Sequence, residues 1–224
     1  MGDGDGMTGK DDRGRLVIDF GDAGGADTPG EPAAADGDPR FGEVLGGCRL
    51  DAVVGRGGMG ITYRAFQLQE QRTVAVKVVR PELAANPEFR ARFQEEIRSA
   101  AAVDHRHAVT VHFSGSDAGR LFVVMQYIDG IDLRARLERG PLTAEPAARI
   151  AEHIGGALAA AHASGVVHRD VKPENILIAG KGDRRDAFLT DFGIARAVSS
   201  PRLTRSGSWV GTILYAAPEQ IHGD

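Results

Sequence analysis

One eight-residue segment of the chain concentrates side chains that could move a proton and bind a metal ion. The sequence reads His168-Arg169-Asp170-Val171-Lys172-Pro173-Glu174-Asn175, which combines a carboxylate, a cation and an amide. A carboxylate can accept a hydroxyl proton, and carboxylate and amide oxygens are suitable ligands for Mg²⁺. A second carboxylate follows in Asp191-Phe192-Gly193. These two segments are therefore the first candidates for catalytic chemistry.

Lys77 is a further candidate because it ends an apolar run, Val74-Ala75-Val76-Lys77. A buried ammonium group needs an anionic partner. Glu96 lies three positions after Phe93, on the edge of the apolar face of the next predicted helix, and is the best-placed partner. A Lys77–Glu96 pair would direct the ammonium group towards phosphate oxygens, whereas a solvated lysine at a sheet edge is the alternative.

The turn Gly55-Arg56-Gly57-Gly58-Met59-Gly60 is rich in glycine. A dinucleotide-binding fingerprint needs a helix directly after the glycines, but here a strand is predicted. The chain also lacks the Gly-Lys-[Ser/Thr] run of a Walker phosphate loop. Four glycines cost roughly 0.5–1 kcal/mol each relative to alanine, more than a purely structural turn requires. The turn is interpreted as a hairpin whose backbone amides cover phosphates, with a flexible hairpin that binds nothing as the alternative.

The predicted elements that position these residues follow an α+β order. Five strands are predicted, at 50–54, 61–67, 72–79, 108–113 and 121–127. A helix is predicted over 81–102, between the third and fourth strands, with an apolar face made of Phe89, Phe93, Ile97 and Ala101. A second helix is predicted to begin after Thr143, its N-cap.

Composition is typical of a globular protein with an acidic tail. The 224 residues carry 27 Lys+Arg and 31 Asp+Glu, a net charge of -4, with 42% hydrophobic residues. Residues 1–40 contain ten acidic groups and four basic ones, which predicts a disordered acidic tail rich in Gly and Asp. The near balance of charge argues against a nucleic-acid partner, and no apolar run is long enough to span a bilayer. The acidic start is unlike a signal peptide, so the expected location is the cytoplasm.

Six motifs occur in the order of one enzyme family. They are the glycine-rich turn, Val74-Ala75-Val76-Lys77, Glu96, the segment from His168 to Asn175, Asp191-Phe192-Gly193 and Ala217-Pro218-Glu219. With these motifs the chain resembles the bacterial branch of the eukaryotic-like serine/threonine protein kinases, from about residue 48 to Asp224. The resemblance implies an α+β, two-lobed fold. An N-lobe with its hinge (48–128) would contain an antiparallel five-stranded sheet plus one helix, and an incomplete, mainly α-helical C-lobe would occupy 129–224.

The resemblance implies ATP and Mg²⁺ as cofactors and gives the N-lobe motifs roles in phosphate binding. In this family the glycines of the turn, here Gly55, Gly57 and Gly60, cover the ATP phosphates. Lys77, when paired with Glu96, holds the α- and β-phosphates.

The C-lobe motifs are implied to carry out the transfer itself. Asp170 would accept or orient the proton of the substrate hydroxyl, and Lys172 would neutralise the γ-phosphate. Asn175 and Asp191 would hold Mg²⁺, whose charge offsets that of the transferring group. A lysine at position 172 is typical of serine/threonine kinases rather than of tyrosine kinases. Thr212 matches a threonine that shapes the acceptor site in this family.

An adenine site is also implied by the resemblance. Its residues would be Val54, Thr62 and Ala75 above the ring, Leu177 below it, Met125 as gatekeeper, and the backbone of Gln126 and Ile128 at the hinge. Two of these depart from the family pattern. Gln126 replaces a glutamate whose backbone makes the contact, and Thr62 replaces a valine, which places a hydroxyl against an apolar ring and is expected to weaken ATP affinity.

Regulation is implied by Arg169, because in kinases with this arginine a phosphate on the activation loop pairs with it. Thr204 and Ser206 are the candidate phosphosites, with ordinary loop hydroxyls as the alternative. Expected partners are protein substrates and a second copy of the chain for autophosphorylation in trans. The histidines at 105, 107 and 112 could be read as a metal cluster, but the family has similar histidines without metal.

Three functions stay open at this point: a protein kinase, a non-catalytic nucleotide-binding or scaffold module, and a small-molecule phosphotransferase. The intact motifs favour a kinase over the scaffold, and the long segment from Gly193 to Glu219 favours a protein acceptor. The family's C-lobe has further helices after the Ala-Pro-Glu motif. We therefore expect a fragment of a longer kinase that folds poorly and transfers phosphate weakly or not at all. The cytosolic part of a membrane-anchored kinase is the alternative for its location.

Overall fold

The computed structural model describes residues 8–10, 16–18, 41–181, 184–192 and 213–219. The chain divides into two units, Met1–Asp36 and Gly37–Asp224. In the first unit, Thr8–Lys10 (β1) pairs antiparallel with Leu16–Ile18 (β2). The remainder of the predicted acidic tail lies outside the described residues, so its disorder stays a prediction.

The second unit begins with an antiparallel sheet of six strands. Its strands are Val44–Leu45 (β3), Cys48–Gly57 (β4), Gly60–Gln67 (β5), Arg72–Val79 (β6), Val111–Asp117 (β7) and Arg120–Gln126 (β8). The order across the sheet is β3-β4-β5-β6-β8-β7. The sequence predicted five strands; the sixth is β3, which is only two residues long and pairs with the start of β4. A pair this short has no periodicity that a sequence pattern could reveal.

The strand β6 shows how both faces of the sheet become buried. Val74, Val76 and Val78 point to one side, where they join a core with Tyr63 and Val124. The alternate residues point to the other side, where Ala75 lies in a core with the long helix of this lobe. A strand covered on both faces reads as a continuous apolar run, which explains the Val-rich sequence.

The helix predicted over 81–102 is two helices, Pro81–Ala84 (α1) and Pro87–Ala101 (α2). The break occurs because the Asn86 side chain caps α2, accepting from the backbone of Glu88 at 2.9 Å and of Phe89 at 3.3 Å. Proline then occupies the first position of α2, where its missing N–H costs nothing.

The apolar face of α2 also ends differently from the prediction. Phe89, Phe93 and Ile97 are buried as expected, but Ala100 completes the face and Ala101 is exposed. The helix turns 100° per residue, so steps of four drift about 40° each and leave the face after three steps. A step of seven from Phe93 to Ala100 stays on it.

Shorter strands and helices follow the hinge. They are Gly130–Asp132 (β9), Leu133–Glu138 (α3), Ala144–Ala163 (α4), a 3₁₀ turn at Pro173–Asn175, Ile176–Lys181 (β10), Arg184–Leu189 (β11) and a 3₁₀ turn at Ile213–Tyr215. The strands form a second antiparallel sheet in the order β11-β10-β9. Ile154, Ala157 and Ala161 of α4 pack against this sheet. Thr143 precedes α4 as predicted, although its side chain makes no capping hydrogen bond.

The loop before β7 was predicted to be strand from Ala108 onwards, but β7 begins at Val111. Residues 107–109 instead bond to the edge of β11. Leu189 N donates to His107 O at 2.8 Å, and Val109 N donates to Leu189 O at 2.8 Å. These bonds connect the two sheets directly. No helix among the described residues is long and apolar enough to cross a bilayer.

Candidate active site

Lys77 lies in a row of cross-strand neighbours on the face of the first sheet that packs towards α2. Its register partners are Thr62 on β5 and Val123 on β8, and Thr62 is itself opposite Gly55 on β4. Neighbours across antiparallel strands point to the same face. The sheet therefore aligns the glycine-rich turn, Thr62 and Lys77 along one line.

The Lys77 ammonium group lies against the carboxylate that was predicted to hold a metal. Lys77 Nζ donates to Asp191 Oδ2 at 2.7 Å, although the two residues are 114 positions apart. Glu96, the partner expected from the sequence, lies on the buried face of α2 with 7% of its surface exposed. The Lys77–Glu96 pair stays a prediction, and the described contact is the one to Asp191.

Asp170, Lys172 and Asn175 form one hydrogen-bonded cluster. Asp170 Oδ2 accepts from Lys172 Nζ at 2.7 Å and from Asn175 Nδ2 at 2.9 Å. Asn175 Nδ2 also donates to the backbone oxygen of Asp170 at 2.7 Å. The 3₁₀ turn at Pro173–Asn175 makes this possible because it folds the asparagine back over the aspartate. The carboxylate is thereby held in one orientation beside a cation.

His168 joins this cluster to the segment that carries Asp191. It is almost completely buried, and burial lowers the pKa of its imidazole. The backbone oxygen of Thr190 can only accept, so His168 Nε2 carries the proton of their 2.9 Å bond. The neutral Nδ1 then accepts from Asp170 N at 3.3 Å. The ring also packs edge-on against Phe192, with centroids 4.9 Å apart.

Two non-glycine residues beside this junction have left-handed backbones. Arg169 has φ of 64° and Asp191 has φ of 63°. This conformation costs an ordinary residue about 1–2 kcal/mol. The bond from Thr190 N to Asn175 O at 3.0 Å and the His168 bonds hold the two segments against that cost. Strain of this kind concentrates at functional sites.

The glycine-rich turn is open by comparison. The strand β4 continues to Gly57, Gly58 and Met59 form the turn, and β5 starts at Gly60. A Cβ added to Gly57 or Gly58 would meet no atom of the described residues within 4 Å. At Gly60 it would collide with the carbonyl oxygen of Val78. Gly60 is therefore needed for close approach of β5 and β6, whereas the other two leave the backbone uncovered.

The residues expected around adenine meet at one end of the α2 core. Ala75, Met125, Ile128 and Leu177 belong to a single apolar cluster. Val54 is half exposed and lies at a bulge, since the register between β4 and β5 shifts between Val53 and Gly55. The Gln126 Oε1 accepts from Thr110 N at 3.5 Å.

Several predicted residues lie outside the described part of the chain. They are the candidate phosphosites Thr204 and Ser206, and Thr212 of the candidate acceptor site. Arg169, the expected partner of a loop phosphate, is exposed.

The chain is similar to known proteins in sequence and in fold. The protein kinase domain family matches residues 49–224. The serine/threonine-protein kinase PknD of Mycobacterium tuberculosis is 47% identical over 191 residues, or 85% of this chain and 28% of PknD. PknE of Mycobacterium bovis is 46% identical over 183 residues, or 81% of this chain and 32% of PknE. The crystal structure of the PknI kinase domain of M. tuberculosis matches with a TM-score of 0.67 at 32% identity, covering 83% of this chain and 69% of that one.

The chain belongs to the protein kinase domain family. It resembles bacterial serine/threonine kinases in sequence and fold, as the motifs implied, and it spans about three tenths of the length of the two curated kinases.

One contact in this kinase domain was missed by sequence reasoning. Arg80 follows β6, and its Nη2 donates to the backbone oxygen of Gly57 at 3.3 Å, while its backbone N donates to Met59 O at 2.9 Å. Arg80 thus holds both sides of the tip of the glycine-rich turn. Its position three residues after Lys77 is the only sequence signal, and an exposed arginine at a strand end is too common to indicate such a contact.

Proposed function

We propose that the domain transfers the γ-phosphate of ATP to serine or threonine hydroxyls of proteins, with Mg²⁺ as cofactor. The observation that carries the proposal is a path of contacts through two segments. The backbone N of Asp170 donates to His168 Nδ1, and His168 Nε2 donates to Thr190 O. The next residue, Asp191, accepts from Lys77. This path brings the candidate base and the candidate phosphate-binding and metal-binding groups to one place between the two sheets.

Each group suits a role in phosphoryl transfer. Asp170 accepts the proton of the acceptor hydroxyl, and Lys172, already 2.7 Å from its carboxylate, offsets negative charge on the γ-phosphate. Lys77 binds the α- and β-phosphates, and Glu96 supports it. Gly55, Gly57 and Gly60 cover the phosphates with backbone amides.

The donor set fits a magnesium ion. Both described side-chain hydrogen bonds of Asn175 use its amide nitrogen. Its amide oxygen is therefore the side-chain atom that remains to face a cation. Asp191 adds a carboxylate, and oxygen ligands of this kind are those that Mg²⁺ prefers. The ion would reduce the negative charge of the phosphates during transfer. Asn175 and Asp191 are therefore proposed as its protein ligands.

The adenine ring is proposed to bind between Val54, Thr62 and Ala75 on one side and Leu177 on the other. Apolar packing supplies most of the affinity at such a site, with Met125 behind the ring. The backbone of Gln126 and Ile128 orients the base. The shared cluster of Ala75, Met125, Ile128 and Leu177 supports this placement.

Regulation and partners remain proposals that rest on the family. Thr204 and Ser206 are proposed phosphosites that pair with Arg169, and Thr212 is proposed to shape the acceptor site. A second copy of the chain is the proposed partner for phosphorylation in trans. Because the reaction consumes ATP, the cytoplasm is the proposed location, with the domain as part of a longer kinase.

The test measures binding and transfer separately. The 224-residue chain is titrated with Mg²⁺ and a non-hydrolysable ATP analogue, and its intact mass is recorded after incubation with Mg²⁺ and ATP. Lys77→Met and Asp191→Asn should each weaken nucleotide binding roughly tenfold or more, since each removes a charged contact. Circular dichroism of every sample shows whether the fold is kept.

Exposed residues provide matched controls. Arg98→Met removes a cation from the exposed side of α2, and Asp104→Asn removes a carboxylate from an exposed loop; both should bind nucleotide as the wild type does. A folded chain that binds no nucleotide, or that binds it equally well in the Lys77 and Asp191 variants, would show that the proposed function is wrong.

A further inference from the structure

Two stacked histidines connect α4 to the loop before β7, away from the candidate active site. His107 is buried, and its ring lies parallel to that of His153, with centroids 3.7 Å and planes 10° apart. The two rings bind the backbone of one residue, Ala187, on the edge strand β11. His107 Nδ1 is 3.0 Å from Ala187 O, and Ala187 N donates to His153 Nδ1 at 3.1 Å.

These bonds require opposite tautomers. A carbonyl oxygen only accepts, so His107 carries its proton on Nδ1. A backbone N–H only donates, so His153 Nδ1 must be unprotonated and its proton lies on Nε2. The bond from Ala187 N to His153 Nδ1 therefore exists only while His153 is neutral. If Nδ1 of His153 gains a proton, two donors face each other and the bond to Ala187 is lost.

Stacking excludes the metal site that this composition would otherwise suggest. His107, His153 and Asp186 have potential ligand atoms within 4.8 Å of one another. An imidazole binds a metal in the plane of its ring, about 2.0–2.1 Å from the nitrogen. Two planes that are nearly parallel and stacked share no point at that distance. One ion therefore cannot bind both rings in this arrangement.

The strand that the histidines hold leads directly to Asp191. On β11, Ala187 is bound by both rings, and two residues later Leu189 exchanges backbone bonds with the loop at His107 and Val109. Thr190 and Asp191 follow without a break. Since β11 is the edge of its sheet, these bonds hold its outer side to the loop before β7 and to α4.

We propose that His107 and His153 are positioning residues, here called the histidine clamp, which hold β11 and hence Asp191 in place only while His153 is neutral. Acidification then releases the strand and weakens the binding of Mg²⁺ and nucleotide. The proposal rests on the proposed function for the role of Asp191, but the release of β11 does not depend on it.

The charged groups around the histidine clamp support a switch. On β11, Asp186 Oδ1 lies 3.9 Å from His153 Nε2, so it offers the protonated ring an alternative partner. On the loop, Arg106 disfavours a further positive charge, and the His105 ring is 5.6 Å from that of His107. Burial, and then the neighbouring His153, lower the pKa of His107. His107 thus stays neutral below the usual histidine range.

The test compares two substitutions of His153 in the 224-residue chain. Asparagine places an amide oxygen close to the position of Nδ1 and does not titrate, whereas leucine removes the acceptor. Amide hydrogen exchange at Ala187 and Leu189, corrected for the intrinsic rate at each pH, measures directly how well the histidine clamp protects these two backbone amides. In the wild type, protection should fall about tenfold or more on acidification, because a protonated His153 Nδ1 cannot accept. His153→Asn should remain protected over the same pH range, and His153→Leu should be unprotected throughout it.

Nucleotide binding is measured on the same samples. Affinity for Mg²⁺ with a non-hydrolysable ATP analogue should fall with pH in the wild type more steeply than in His153→Asn. His162→Asn, an exposed histidine of the same helix, should behave as the wild type. Equal pH dependence of Ala187 protection in the wild type and His153→Asn would overturn the clamp. A protected Ala187 without any nucleotide binding at pH 7.5 would instead contradict the proposed function.

Discussion

The glycine-rich turn and the junction around His168 face the same site but are built in opposite ways. At the turn, Gly57 and Gly58 have open space around them, and the tip is contacted through Arg80 and through Met59, which packs against the α2 core. At the junction, a buried histidine bonds both neighbouring segments, and two strained residues are held in place. If both parts bind the same ligand, as proposed, the turn is the part that can adapt to it and the junction is the part that presents fixed groups. Substitutions in each part should therefore have different kinds of effect.

The largest expected effect is on transfer, at the junction. Asp170→Asn keeps an oxygen that Lys172 and Asn175 can bond but removes the base, so phosphoryl transfer should fall roughly 10²–10⁴-fold. Nucleotide affinity and thermal stability should change little. Phosphate incorporation by intact mass, with calorimetric unfolding, checks this expectation. Unchanged transfer would mean that Asp170 is only a structural partner of the cluster.

A smaller effect, on stability, is expected where the turn meets the sheet. Gly60→Ala forces a methyl group against Val78 O, and the required backbone shift should cost about 1–3 kcal/mol of unfolding free energy. Gly58→Ala is the matched control, and its methyl group enters open space, so its effect should stay within about 0.5 kcal/mol. Urea unfolding of both variants measures the difference. If the two variants were equally stable, the turn would not divide into a packed and an open part.

The smallest effect is expected at the tip of the turn. Arg80→Met removes one exposed hydrogen bond, to Gly57 O, which is worth about 0.5–1.5 kcal/mol. Nucleotide affinity should therefore change by roughly twofold to tenfold with the fold intact. Arg98→Met, which removes a 3.3 Å bond from an exposed arginine to Gln94 O on α2, serves as the control. An affinity identical to that of the wild type in Arg80→Met would show that the arginine does not hold the tip.

Local patterns predicted the sheet better than the helices or the edges. The Val-rich run around Val74 and Val76 predicted β6 with its observed ends, because a strand buried on both faces has a long apolar sequence. The prediction for α2 was wrong at its last buried residue, since spacing by four is only close to the helical repeat. The start of β7 was also wrong, because the backbone of 107–109 bonds to β11, which lies about eighty residues further along the chain.

Short spacing accounts for one part of the candidate site. Asp170, Lys172 and Asn175 lie within six residues, and the 3₁₀ turn that ends at Asn175 brings them into contact. Their roles stay predictions. Two contacts did not follow from the sequence: the hydrogen bond of Lys77 to Asp191 and that of Arg80 to Gly57 O. Both depend on how two strands or two sheets approach one another, which no local pattern reports.

The sequence by itself determined which family the chain belongs to and which residues are candidates to accept a proton, bind phosphate or hold a metal. The reason is that residue type and short spacing set functional groups and local turns. Only the tertiary structure decided that Lys77 meets Asp191 across 114 residues and that His107 stacks on His153 beside Ala187. Such contacts join segments distant in the chain, and their distances are set by the packing of sheets and helices rather than by the residues between them.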